Sequence, residues 1–227
     1  ITKTDHGLRV SWDTPEGEQG VEAEMVLMAT GRQPYTEGVG LSDLGVDTDG
    51  GAVKVSEYLE TNINGIYAIG DVLGKHMLAH VASYEGEIAV ENALDRRRKA
   101  DYRAVPTCVY TFPPVAGVGI TEKEARESGI PHKVSKFPFL ACGRAVAMDE
   151  TAGIVKMVCE ADGGRVLGLH IVGPHADDLI AEGVLAVQLG ATATEVAHTI
   201  HSHPTLPEAV QEAALGQLEG SIHFGRA

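Results

Sequence analysis

Cysteine is scarce in this chain of 227 residues. Cys108, Cys142 and Cys159 are odd in number and widely spaced, with neither a C-x-x-C pair nor a zinc-type cluster. The pattern reads as structural free thiols in a reducing compartment. Cations are short as well: 18 Lys and Arg stand against 32 Asp and Glu, a net charge of -14. Nucleic acids and anionic membranes need clustered cations to displace counterions, so neither is expected as a partner. The single dense basic run, Arg96 to Lys99, follows a predicted helix, whose negative end it would complement. Long apolar runs are missing too. No stretch approaches the roughly 18 residues that suggest a membrane span, and the first residues do not form a signal peptide. A soluble, cytoplasmic protein is expected. No initiator methionine precedes Ile1, which runs directly into strand-like sequence, so a fragment or processed piece is expected.

What is present suffices for folding. A hydrophobic content of 44% over this length supports one large domain or two ordinary ones, and two unequal domains are expected. Leu8 to Trp12 and Val21 to Ala29 read as strands around the turn Thr14-Pro15-Glu16-Gly17. Met25 to Ala29 is continuously apolar, as in a strand buried on both faces, and Gly31 and Pro34 stop it. Gly65 to Asp71 reads as a second buried strand with a polar tip. Met77 to about Arg98 is helical in period, with Leu78, Val81, Ala82, Ile88, Ala89 and Ala93 on one face. After a boundary near residue 103, five segments read as an antiparallel sheet: Val105 to Tyr110, Val115 to Ile120, Val134 to Phe139, Ile154 to Cys159 and Val166 to Val172. Helices are expected over Glu122 to Ser128, opened by the capping box Thr121/Glu124, over Asp178 to Gln188, and over Leu206 to Leu218.

Chemistry concentrates in His201-Ser202-His203-Pro204-Thr205-Leu206-Pro207-Glu208. His203 lies just before a helix start, where Thr205 can act as cap and Pro207 suits the first turn. A bend at Pro204 would bring the Glu208 carboxylate back to one imidazole nitrogen. Such a carboxylate fixes the tautomer and favours the imidazolium, which is what a general base taking a thiol proton needs. A surface loop whose histidines merely cap a helix fits the same residues. A metal site fits poorly, since His201 and His203 have no third ligand at matching spacing. In the strand-like Ile66 to Asp71, Gly70 allows close backbone approach to a ligand and Asp71 offers a carboxylate to sugar or polyol hydroxyls; an ordinary turn is the other reading. Met77-Leu78-Ala79-His80 opens the long helix, whose free N–H groups form a positive end suited to a flavin edge that gains negative charge on reduction. Ala29-Thr30-Gly31-Arg32-Gln33-Pro34 is a strand exit that could approach a dinucleotide, or a tight turn.

In chain order, A-T-G-R-x-P, I-Y-A-I-G-D, M-L-A-H and H-x-H-P-T-x-x-E resemble the second half of the pyridine nucleotide-disulfide oxidoreductase family, over nearly all 227 residues. The Met77 to His80 and His201 to Pro204 segments most resemble its dihydrolipoamide dehydrogenase branch; glutathione, trypanothione and mercuric reductases tend to differ at one or both. The resemblance implies an α+β chain: residues 1–34 end an NAD-binding domain, 35–103 form a central FAD-contacting segment, and 104–227 form an antiparallel-sheet dimerisation domain with flanking helices. It implies FAD and NAD as cofactors, with Asp71 holding the ribityl chain, Gly70 beside it, the backbone of Met77, Leu78, Ala79 and His80 meeting the isoalloxazine, and Gly31 near NAD. His203, oriented by Glu208, would be the base acting across a homodimer interface on the partner subunit's redox disulfide. Dihydrolipoamide, free or on a lipoyl domain of a 2-oxo acid dehydrogenase complex, would be the substrate. The resemblance also suggests a cis His203-Pro204 bond. The family's two glycine fingerprints and its C-x-x-x-x-C are not among these residues, and Gly117-Val118-Gly119-Ile120-Thr121-Glu122 lacks the final glycine. The chain alone is therefore expected to be inactive, and an isolated dimerisation module is the non-enzyme alternative. Phe112-Pro113-Pro114 departs from the branch's usual His-Pro-Glu.

Overall fold

A computed structural model describes residues 1–225, divided between two compact units, Ile1–Lys99 and a second that begins at Ala100. No helix among the described residues is long and apolar enough to cross a membrane.

The first unit opens with an antiparallel meander of β1 (Thr2–Thr4), β2 (Gly7–Thr14) and β3 (Gly17–Ala23). Its hairpin turns where expected: the Thr14 hydroxyl donates to the Gly17 carbonyl at 2.8 Å, and Gly17 takes a φ of 117°, open to glycine. The ladder ends at Ala23, so the expected strand through Ala29 is not formed. Met25 and Leu27 are 85% and 88% exposed. A strand exists only as a member of a ladder, and no described segment pairs with this run. The expected strand at Gly65 to Asp71 is likewise reduced to one bridge, Glu60 to Tyr67, followed by a 3-10 turn over Gly70–Leu73. A two-residue hairpin, β4 (Thr48–Asp49) and β5 (Ala52–Val53), lies between them.

Helix α1 (Ala79–Ala93) buries Val81, Glu85, Ile88, Ala89 and Asn92. Three of these belong to the expected apolar stripe, while Ala93 is exposed and two polar residues take part instead. The helix stops five residues short of Arg98 because Asn92 competes for the chain. Its side chain donates to the Tyr58 and Arg98 carbonyls, both at 2.8 Å, and accepts from Arg98 N–H at 2.6 Å. The basic run beyond is not matched to the helix dipole: no basic residue lies in the last turn. Arg98 pairs with Glu91, Lys99 with Glu57, and Arg97 sits 4.8 Å over the Tyr58 ring.

The second unit is a five-stranded antiparallel sheet in the order β6-β7-β10-β9-β8. Its strands are β6 (Thr107–Val109), β7 (Val115–Gly119), β8 (His132–Pro138), β9 (Ile154–Glu160) and β10 (Val166–Val172), each within a segment expected to be a strand or overlapping it. Its helices are α2 (Glu122–Glu127), α3 (Gly143–Met148), α4 (Ala176–Leu189), α5 (Ala193–His198) and α6 (Glu208–Leu215). The core holds Phe137, Val155, Met157, Leu169 and Ile171 from the sheet, Leu179 and Ile180 from α4, and Ala209, Val210 and Ala213 from α6. Gly183 lets α4 lie on β10, since a Cβ there would fall 2.5 Å from Leu169 Cδ2. Alanines do the same for α6, where the buried Ser135 hydroxyl donates to the Ala213 carbonyl at 2.5 Å.

The capping box at Thr121 and Glu124 is formed, each residue accepting the other's N–H. A second one opens α5, where Thr192 and Glu195 repeat the same T-x-x-E spacing. That helix and α3 had no counterpart among the expected elements. Gly119 serves strand packing: with φ at 71°, a Cβ would meet the Leu167 carbonyl oxygen at 2.1 Å. The three cysteines are free thiols. Burial pushes the Cys159 thiol up to about 12, which removes it from thiolate chemistry near neutrality.

The caps and ion pairs of this unit set its acid stability. Backbone N–H groups of Thr121 and Thr192 hold Glu124 and Glu195 below the usual carboxylate range. The Arg103 guanidinium lowers Asp101 to about 2. Each carboxyl titrates lower folded than unfolded, so its contribution is complete above about pH 5 and is lost as pH falls through the folded value. The thermal midpoint followed by circular dichroism should therefore drop between pH 5 and pH 2, and a flat profile would contradict this account.

Candidate acid-base site and cofactor-contacting turn

Residues 200–207 form the loop between α5 and α6. Gln211 on α6 anchors its start by donating to the Ala197 and Thr199 carbonyls, both at 3.1 Å. The His203-Pro204 peptide is cis, and so is Phe112-Pro113. Thr205 does not cap the helix as expected. Its hydroxyl donates back to the Ser202 carbonyl at 2.6 Å, and α6 begins at Glu208 after Pro207. No side chain caps α6, and Glu208 instead braces the loop before it, its Oε2 accepting from Thr205 N–H at 2.7 Å.

The other oxygen, Glu208 Oε1, lies 2.8 Å from His203 Nδ1. A carboxylate only accepts, so Nδ1 carries the proton and Nε2 of the neutral ring is left as the basic nitrogen. Partial burial of Glu208 opposes its ionisation and is the largest single influence on it. The Thr205 N–H and the His203 ring together outweigh that, holding this carboxyl below its usual range. The pair therefore has an ionised, oriented carboxylate behind a largely exposed imidazole, the His203 side chain being 77% exposed. Beside it opens a cavity of about 300 Å³, lined among others by Phe137, Cys142, Glu212 and His223.

His201 plays a different part. Its side chain is 5% exposed, with Nε2 at 2.9 Å from Glu182 on α4 and Nδ1 at 2.8 Å from the Thr199 carbonyl. Both nitrogens are engaged, so His201 ties the loop to α4. Glu182, and the Glu212–His223 pair at 2.7 Å, were not singled out in the sequence because their partners lie 19 and 11 residues away with no repeating pattern between.

In the first unit, Gly70 and Asp71 open the 3-10 turn that precedes α1. Gly70 has φ at 74° and is buried, and a Cβ there would meet Ala82 Cβ at 3.1 Å. The Asp71 carboxylate is paired with the Arg32 guanidinium, so two of the sequence motifs, 39 residues apart, are brought together. Met77 and Leu78 are half-buried and lead into the helix, and Ala79 and His80 open it from the surface. Leu78 is the N-cap, with extended backbone and no side-chain cap, so the positive end of α1 is not covered by a side chain of its own cap. Gly31, with φ at 99°, has open space where a Cβ would stand. Phe112 is 98% exposed, on the loop between β6 and β7.

Two sequence patterns match consecutive parts of the chain. One, described as "Pyridine nucleotide-disulphide oxidoreductase", covers residues 1–86, and the other, "Pyridine nucleotide-disulphide oxidoreductase, dimerisation domain", covers 105–214. The chain belongs to the pyridine nucleotide-disulphide oxidoreductase family. Among relatives in the family, Dihydrolipoyl dehydrogenase 2, mitochondrial, of Arabidopsis thaliana is 40% identical over 227 residues, covering 99% of this chain and 45% of the relative. Dihydrolipoyl dehydrogenase of Bacillus subtilis is 44% identical over 225 residues, 99% and 48% of the two chains. The solved structure of LpdA from Mycobacterium tuberculosis superposes with a TM-score of 0.85 at 32% identity, covering 94% of this chain and 46% of that one. The chain thus spans about half the length of the relatives it matches. The family's dimerisation domain accounts for the antiparallel sheet with flanking helices seen here.

Proposed function

We propose that this chain is the carboxy-terminal part of a dihydrolipoyl dehydrogenase, which oxidises dihydrolipoamide to lipoamide and reduces NAD to NADH. The observation that carries this reading is the His203–Glu208 pair: a basic nitrogen at the surface, its tautomer set by an ionised carboxylate at 2.8 Å. His203 Nε2 takes a proton from a substrate thiol, and Glu208 stabilises the imidazolium that results. The thiolate so formed is the nucleophile that attacks a disulfide sulfur, since the thiol itself is unreactive. In this reading the redox disulfide belongs to the partner subunit of a homodimer, and residues 104–227 supply the interface. Exposed apolar side chains on that unit, including Tyr110, Leu185, Leu189 and Ile200, suit such an interface.

The residues of the first unit fit FAD. The half-exposed Asp71 carboxylate would accept from ribityl hydroxyls, and the start of α1 at Leu78 to His80 would offer a positive end to the anionic edge of the ring. The chemistry that FAD would supply when bound is electron transfer between the reduced disulfide and NAD. Gly31, with nothing within 4 Å of a Cβ position, leaves room for a dinucleotide. Residues 1–34 are read as the end of the NAD-binding domain and 35–103 as the FAD-contacting segment. A lipoyl domain of a 2-oxo acid dehydrogenase complex would present the substrate.

Substrate choice tests the reading. The flavin-loaded enzyme should reduce NAD with dihydrolipoamide and show no comparable turnover of glutathione disulfide or mercuric ion. The 227-residue chain alone, whose cysteines include no C-x-x-x-x-C, should show none of these activities. Preference for glutathione disulfide or mercuric ion would replace the assignment with another branch of the family.

A further inference from the structure

Carboxylates are rarely buried without a task, because desolvation penalises them. Glu85 is 2% exposed and lies in the middle of α1, on the face shared with Val81, Ile88 and Ala89. Its Oε2 accepts from Gly70 N–H at 2.6 Å. Gly70 is itself buried and seated close over Ala82, one helical turn before Glu85. Two successive contacts with α1 therefore hold the residue immediately before Asp71. From the other side the Asp71 carboxylate is held by Arg32.

We propose that Glu85 is a positioning residue of the flavin site: it locks the Gly70–Asp71 turn to α1, so that one rigid piece carries both the Asp71 carboxylate and the positive start of the helix. The inference rests on the reading of Asp71 as a flavin ligand. The choice of residue follows from the geometry. Gly70 N–H points into the unit, where no water reaches it, and needs an acceptor from α1. Leucine at position 85 would supply none and would leave the turn free to move off the helix. Glutamine keeps a carbonyl oxygen at the same reach. Aspartate keeps the charge but is one methylene too short.

The test titrates FAD into the deflavinated holoenzyme, following flavin fluorescence and visible circular dichroism, with apoprotein melting recorded in parallel. Glu85→Leu and Glu85→Asp are expected to weaken FAD binding by about tenfold or more and to alter the flavin dichroism. Glu85→Gln is expected to stay within about threefold of the parent. Asp71→Leu serves as the reference. If Asp71→Leu weakens FAD and Glu85→Asp does not, the positioning role is overturned while the flavin reading stands. If Asp71→Leu leaves FAD affinity unchanged, the flavin reading fails and the inference falls with it. Should Glu85→Leu not fold, the contrast between aspartate and glutamine still decides. Equal loss in both would mean that the charge and packing of Glu85 matter, not its reach to Gly70, and would also overturn the proposal.

Discussion

Replacing His203 by glutamine is expected to lower dihydrolipoamide turnover by the flavin-loaded enzyme by about 10²- to 10⁴-fold, the usual contribution of a positioned general base. Glutamine can take over the contact to Glu208 but offers no basic nitrogen, so the thiol must ionise unaided. The side chain is 77% exposed, which makes a large loss of stability unexpected. Glu208→Gln should cost less, because the glutamine oxygen still accepts from Thr205 N–H while the charge behind the imidazole is gone. A His203→Gln enzyme retaining a tenth or more of parental kcat/KM would remove His203 from the mechanism.

The second large effect is on stability. Leu169 is fully buried at the centre of β10, between β7 and β9, and faces Gly183 on α4. Leu169→Ala is expected to destabilise the second unit by about 2–5 kcal/mol, since the sheet cannot collapse onto the helix to close the void. Gly183→Ala attacks the same contact from the opposite side. Its new methyl would fall 2.5 Å from Leu169 Cδ2, and the overpacking should cost about 1–3 kcal/mol. The two changes share one space, so the double variant should lose less than the sum of the singles. Urea unfolding followed by circular dichroism measures all three. Strict additivity would show that Leu169 and Gly183 do not meet as described.

The second unit was largely legible because its signals are local. Most of its strands are short apolar runs closed by glycine, proline or a charged turn, and their partners lie within the same unit, which begins at Ala100. The contact between His203 and Glu208 was legible for the same reason, since the two are five residues apart around a proline. The first unit was harder. Met25 to Ala29 and Gly65 to Asp71 have the composition of buried strands, yet among the described residues neither meets a neighbouring strand to complete a ladder. Helix α5 was missed despite its capping box, because six residues are too few for a visible hydrophobic period.

His203 thus illustrates the division. The sequence by itself determined the residue types, the bend at Pro204 and the carboxylate five positions on, and with three other motifs in order it determined the family. Tertiary structure alone decided what surrounds them. It bound His201 to Glu182, placed Arg32 on Asp71 across 39 residues, and set Glu85 beneath Gly70. Spacing along the chain encodes contacts only within a turn or a helix. Pairs further apart depend on how elements pack, and packing is settled by the whole core at once.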